Sequence, residues 1–130
     1  MSELATAQAT VEAGPLEAAH RVMTMVLEGE IGRAEVADVE AMLERLTEQG
    51  VRQVVVDLKQ VTHLDYRCVQ PLADWANQLR ELGGDVRLAG VSPYLLAIVR
   101  SAGANDAFDF YATQKDARGS FDRGLFAQGG

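Results

Sequence analysis

The sequence predicts a single α/β domain with a mostly parallel central sheet of about four to five strands and four helices. Three observations carry that expectation. Short apolar segments alternate with amphipathic ones along the chain. Val54-Val55-Val56 is an unbroken β-branched run, the pattern of a central parallel strand covered on both faces. Glycines, and one Ser-Pro pair, fall between the segments where helices begin and end.

The first fifteen residues, 1–15, offer little large apolar surface to offset the entropy of ordering them. They are expected to form a flexible tail, with Ala9 to Glu12 able to add a short edge strand, and the domain proper is expected over 16–127. His20 to Leu27 alternates as a strand with two mostly apolar sides, and Glu28-Gly29-Glu30-Ile31-Gly32 is expected to end it. Ala34 to Gln49 reads as a helix, because Val36, Val39, Leu43 and Leu46 make one stripe while Glu35, Asp38, Glu40, Glu44 and Glu48 face away. Val51 to Leu58 is the strongest strand, and Lys59 to Asp65 the loop after it. Val69 to Leu82 is the second helix, with Trp75 beside its apolar stripe, and Gly83-Gly84 ends it.

Asp85 to Ala89 is a short strand. Ser92-Pro93 starts the next helix, with serine as N-cap and proline where its missing N–H costs nothing. That helix runs to about Ala102. Phe108 to Tyr111 is the last strand. Thr113 and Asp116 cap a final helix that includes Ala117 and Phe121.

Composition narrows the function. Of 130 residues, 48% are hydrophobic and 24% charged, the balance of a folded globular chain. Nineteen acidic residues against twelve basic ones give a net charge of -7, with no cluster of Lys and Arg. Nucleic-acid binding and adsorption to anionic lipid are therefore not expected. No apolar run reaches the length of a membrane span, and the N-terminus lacks the basic and apolar regions of a secretory signal. A cytoplasmic location is expected. Only one cysteine is present, so no intrachain disulfide can form.

In open α/β sheets, ligands sit beyond the carboxyl ends of the strands. The polar set after the central strand lies there: Asp57, Lys59, Thr62, His63, Asp65, Tyr66, Arg67 and Cys68. Cys68 stands before a helix, where a thiol can be activated. A cysteine-based oxyanion loop, however, needs an arginine six positions on, and Asp74 stands there instead. A buried structural cysteine is the favoured reading. His20 and His63 have no metal-ligand spacing, and no nucleophile accompanies His63. No Gly-rich phosphate loop is present. No metal, no cofactor and no catalytic residue are expected.

The segment VVVDLKQVTHLD, Val54 to Asp65, followed by a helix, resembles the core of a STAS domain (sulfate transporter and anti-sigma factor antagonist). Leu27-Glu28-Gly29-Glu30-Ile31, the segment Val86 to Pro93, and Gly103 with Phe108 resemble further motifs of that family, in the same order. The resemblance spans about 18–117. It implies a STAS-like fold and a non-enzymatic switch module. It also implies a protein partner, either a kinase-like anti-sigma factor or a subunit of a membrane complex such as a lipid-transport ATPase. The family's antagonists bind through the loop and helix after the central strand. A serine or threonine in an Asp-Ser-Ser-Gly-like motif there accepts phosphate, which ends binding.

Here the motif reads Asp65-Tyr66-Arg67-Cys68, without either small hydroxyl and without the glycine. Phosphorylation-independent binding is expected, through Thr62, His63, Asp65, Tyr66, Arg67 and Cys68. Two readings of the tetrapeptide stay open. In one, Tyr66 and Arg67 are exposed anchors. In the other, Tyr66 packs on a strand and Arg67 pairs with Asp65 or Asp57. Pro71 implies either a kinked helix or a separate turn over 66–69. Thr62 is a substitute phosphate acceptor to consider, and Ser92 reads as a cap. The acidic charge suggests a basic, salt-sensitive partner. A homodimer through an apolar helix face is a further arrangement. The rival function is a small ligand-binding (nucleotide or lipid) or enzymatic α/β domain with its site at Lys59 to Cys68.

Overall fold

The computed structural model describes the backbone of residues 5–11 and 22–129, with side chains from 22 to 121. Five strands form one sheet: β1 (Ala5–Val11), β2 (Val22–Ile31), β3 (Gln53–Leu64), β4 (Asp85–Ala89) and β5 (Asp109–Tyr111). Their spatial order is their chain order. β1 runs antiparallel to β2, and the remaining pairs are parallel. Four helices connect or follow them: α1 (Arg33–Glu48), α2 (Val69–Glu81), α3 (Pro93–Ser101) and α4 (Gln114–Gly129). The expected alternation and the mostly parallel sheet are both present.

Three segments differ from the sequence expectation. Ala5–Val11, within the stretch assigned to a tail, is an edge strand in continuous register with β2. Its place in the sheet is a backbone ladder with β2. Glu12, the end of the expected edge segment, and His20 lie outside the described residues. β2 does not stop at Leu27. Gly29 adopts φ 81, and two register shifts flank it, so the strand absorbs an irregularity and continues to Ile31. The supposed loop from Lys59 is also strand, as far as Leu64. Gln60, Val61, His63 and Leu64 pair with the prolonged β2, and Val61 and Leu64 are buried beneath it. Each extension supplies the ladder the other needs.

The sheet buries both faces, and strand alternation divides the core in two. Met25, Val54, Val56 and Leu88 belong to the larger cluster, with Leu43 of α1, Leu79 of α2 and Leu95 of α3. Val22, Val55 and Ala89 belong to a smaller cluster with Ala117 and Phe121 of α4. Trp75, buried on α2, donates its Nε1–H to Thr47 Oγ1 of α1 at 2.9 Å, so the two helices are tied by a polar contact as well as by packing.

The capping residues act as their types suggest. Ser92 Oγ accepts from the Leu95 N–H at 3.1 Å, with Pro93 opening α3. Thr113 Oγ1 accepts from the Asp116 N–H at 3.1 Å. Pro71 does not kink α2. A separate 3-10 turn, Tyr66–Cys68, precedes the helix, and Pro71 falls in its first turn, where an N–H has no intrahelical partner.

Candidate functional site

The end of β3 delivers the chain to the expected loop, and backbone bonds hold it there. The Asp65 N–H donates to Ile31 O at 2.9 Å, and the Cys68 N–H donates to Asp65 O at 2.8 Å. Asp65 is extended and caps the 3-10 turn: its Oδ1 accepts from the Arg67 N–H at 2.9 Å. The same carboxylate takes the guanidinium in a two-pronged pair, Nε to Oδ1 at 3.1 Å and Nη2 to Oδ2 at 2.9 Å. These bonds, first the side-chain pair and then the Arg67 amide, lower the Asp65 pKa from 3.8 to about 2. The carboxylate in turn raises the Arg67 pKa.

The geometry combines the exposure expected in the first reading of Asp65-Tyr66-Arg67-Cys68 with the Arg67 pairing expected in the second. Arg67 pairs with Asp65, not Asp57, yet its side chain remains 54% exposed. Tyr66 does not pack on a strand and is 61% exposed. Cys68 is buried, and its thiol faces Gly32 O at 3.5 Å at the start of α1. Burial raises its pKa, which disfavours a nucleophilic thiolate. Cys68 thus supports the loop from behind and presents no surface for a partner, since its side chain fills the seam between the 3-10 turn and α1.

Asp57 leaves the group altogether. It is buried, with Oδ1 accepting the Lys59 N–H at 2.9 Å and Oδ2 accepting Gln114 Nε2 at 2.7 Å. It joins β3 to the start of α4. Thr62 is exposed on β3 but does not line the concavity beside the loop.

That concavity has a volume of about 450 Å3 and lies between the loop and α3. His63, Tyr66, Arg67, Tyr94 and Ile98 are among its walls. His63 Nδ1 and Tyr94 Oη are 2.6 Å apart, with ring centroids at 5.8 Å. Tyr94 is the member that sequence reasoning missed, and it is 54% exposed. Its signal was its place directly after the Ser92-Pro93 cap, at the carboxyl end of β4, the same end of the sheet as the loop. A second cleft of about 210 Å3 lies between α1 and α2, with Glu40, Glu44 and Asp74 on its rim. Among the described residues, no cluster of three His, Cys, Asp or Glu is placed to hold a metal, and no helix is long and apolar enough to cross a membrane.

Comparison with known structures bears on the fold. An anti-sigma factor antagonist from Mycobacterium paratuberculosis superposes with a TM-score of 0.72 at 20% identity, covering 90% of this chain and 95% of that one. The anti-sigma factor antagonist SpoIIAA in its unphosphorylated form gives 0.68 at 18% identity, over 85% and 92%. A sulfate transporter family protein from Wolinella succinogenes gives 0.67 at 15% identity, over 78% and 84%. At such identities the likeness is one of fold. No curated protein sequence matches the chain significantly. The family described as Mlab, STAS domain matches residues 16–111. With that match over most of the sheet and its helices, the chain belongs to the STAS domain family.

Proposed function

We propose that this STAS domain is a non-catalytic interaction module that binds a protein partner on the surface formed by His63, Asp65, Tyr66 and Arg67 with Tyr94, and that phosphorylation at 62–68 does not switch it. The observation that carries this reading is the exposure of Tyr66 and Tyr94 on the walls of one groove, next to a guanidinium held in place by Asp65. Tyrosine and arginine are the side chains that most often anchor protein interfaces. A pinned Arg67 loses little conformational freedom on binding. The partner is a kinase-like anti-sigma factor or a subunit of a membrane complex, and the net charge of -7 favours one with a basic patch.

The test is recovery of the partner with the immobilised chain, followed by the same experiment with Tyr66→Ala and Arg67→Ala. Loss of the partner with either variant supports the reading, and unchanged recovery with both overturns it. Incubation with the recovered partner and ATP should leave residues 62–68 without phosphate by mass spectrometry. Phosphate on Thr62 or Tyr66 would overturn the phosphorylation-independent part.

A bound small molecule is the competing reading, and the groove's volume favours it, since ligand pockets span about 300–1,000 Å3. A nucleotide or lipid present at about 100 times its dissociation constant would stabilise the fold by about 2.7 kcal/mol. Thermal shifts with GTP, ATP and lipids separate the two.

A further inference from the structure

Among the described residues, β1 is the outer strand of the sheet, with β2 on one side and no strand on the other. Every second N–H and C=O along it points away from the sheet, a template for another strand. Edges are normally protected by charge, proline, a bulge or short length. The opposite edge follows that rule, because β5 has three residues and begins with Asp109. β1 does not. It is seven residues long, ATAQATV, with no charge and no proline, and its register with β2 has no shift.

The order of those residues identifies what would pair there. About Gln8 the strand reads nearly the same in both directions: Ala7 and Ala9, Thr6 and Thr10, Ala5 and Val11. An antiparallel copy centred on Gln8 sets Gln8 against its own equivalent. Thr6 then faces Thr10 of the second copy, and Ala7 faces Ala9. Whichever half of the amides β2 uses, the remaining half is symmetric about Gln8, so the free donors and acceptors also match. Such a contact is isologous and closes as a two-fold dimer. A partner with an unrelated strand would gain nothing from this symmetry.

We propose that β1 pairs with β1 of a second copy of this chain, in antiparallel register about Gln8, to make one continuous sheet across a dimer. The contact is about 24 Å long at a strand rise of about 3.4 Å per residue. One strand pair buries less than a standard interface of about 1,600 Å2, so the dimer is weak and depends on concentration. β2 separates β1 from β3, so both copies keep the groove beside Tyr66 open. A partner with two binding sites would then gain avidity. The inference does not depend on what occupies that groove.

The experiment is sedimentation velocity of the full chain from micromolar to millimolar concentration. The mean mass is expected to rise toward twice the monomer. Gln8→Glu and Gln8→Lys each place like charges across the axis and are expected to remain monomeric. An equimolar mixture of the two sets opposite charges there and is expected to dimerise again. Hydrogen exchange provides a second reading: β1 amides of the wild type should become more protected as concentration rises. A wild type that stays monomeric throughout overturns the proposal. So does dimerisation of both variants alone at wild-type strength, or a mixture that behaves like its components.

Discussion

His63 and Tyr94 meet at 2.6 Å across 31 residues of chain, so the end of β3 and the first turn of α3 share one polar contact at the mouth of the groove. Tyr66 stands on the same groove. Both tyrosines are mostly in solvent, and little of the fold depends on them. Tyr66→Ala and Tyr94→Ala should each weaken partner binding by about 2 kcal/mol, the scale of an interface anchor. Each should change unfolding stability by no more than about 0.5 kcal/mol. Calorimetric titration with the recovered partner, beside denaturant melts of the free chain, measures both.

Asp65 and Arg67 give a pH signature. The folded carboxyl titrates at about 2 against an ordinary 3.8, so its charged form is favoured in the native state. A depressed acid contributes stability above its unfolded pKa and loses it as pH falls through the folded one. The difference in stability between wild type and Asp65→Asn should be constant at neutral pH, shrink below 3.8 and vanish below about 2. A carboxyl-detected NMR titration should place the Asp65 midpoint near 2, and Arg67→Ala should move it up toward 3.8.

Trp75 and Thr47 test how α1 and α2 are joined. Trp75 Nε1–H donates to Thr47 Oγ1, and Thr47 Oγ1 donates to Leu43 O at 3.0 Å. Trp75→Phe leaves that acceptor unpaired in a half-buried place and should cost about 1 kcal/mol or more. Thr47→Val should cost a similar amount. The double variant should cost less than the sum, because both single changes break the Trp75–Thr47 bond, and Thr47→Val alone also removes the bond to Leu43 O. Denaturant melts followed by circular dichroism supply the cycle.

Gly83 and Gly84 separate two reasons for a glycine. Gly83 has φ 91 and open space around it, so an added methyl meets only backbone strain. That costs about 1–2 kcal/mol. At Gly84, a Cβ would fall 1.9 Å from Arg52 O, a backbone atom that cannot turn aside. Gly84→Ala must push the entry to β4 away from Arg52, just before β3. It should lower stability more than Gly83→Ala does, and comparing their melting midpoints decides the order.

How far the sequence carried depends on how local each signal was. The helices from Arg33, Val69 and Pro93 lie within a few residues of their expected bounds, because periodicity and caps are short-range. The turn before α2 followed from Pro71, though a kink was an equal option. The strands failed where pairing decides. Lys59-Gln60 breaks the hydrophobic pattern of β3, and Gly29 that of β2, yet each strand continues because its neighbour does. β1 is ordered by a ladder that no pattern of large side chains announces.

The candidate site divides in the same way. Asp65 caps a turn through Arg67, two residues on, whereas the Cys68 thiol is buried against Gly32 O, 36 residues away. The sequence alone determined the class of fold, the family resemblance and the Tyr-Arg-Cys identity of 66–68. Only the tertiary structure decided that Arg67 turns to Asp65 while Asp57 turns to Gln114, that Tyr66 faces solvent, and that Tyr94 joins the loop. The physical reason is range. Capping and amphipathicity act within one or two turns of chain, whereas side-chain partners are chosen by which strand ends and helix starts the sheet brings side by side.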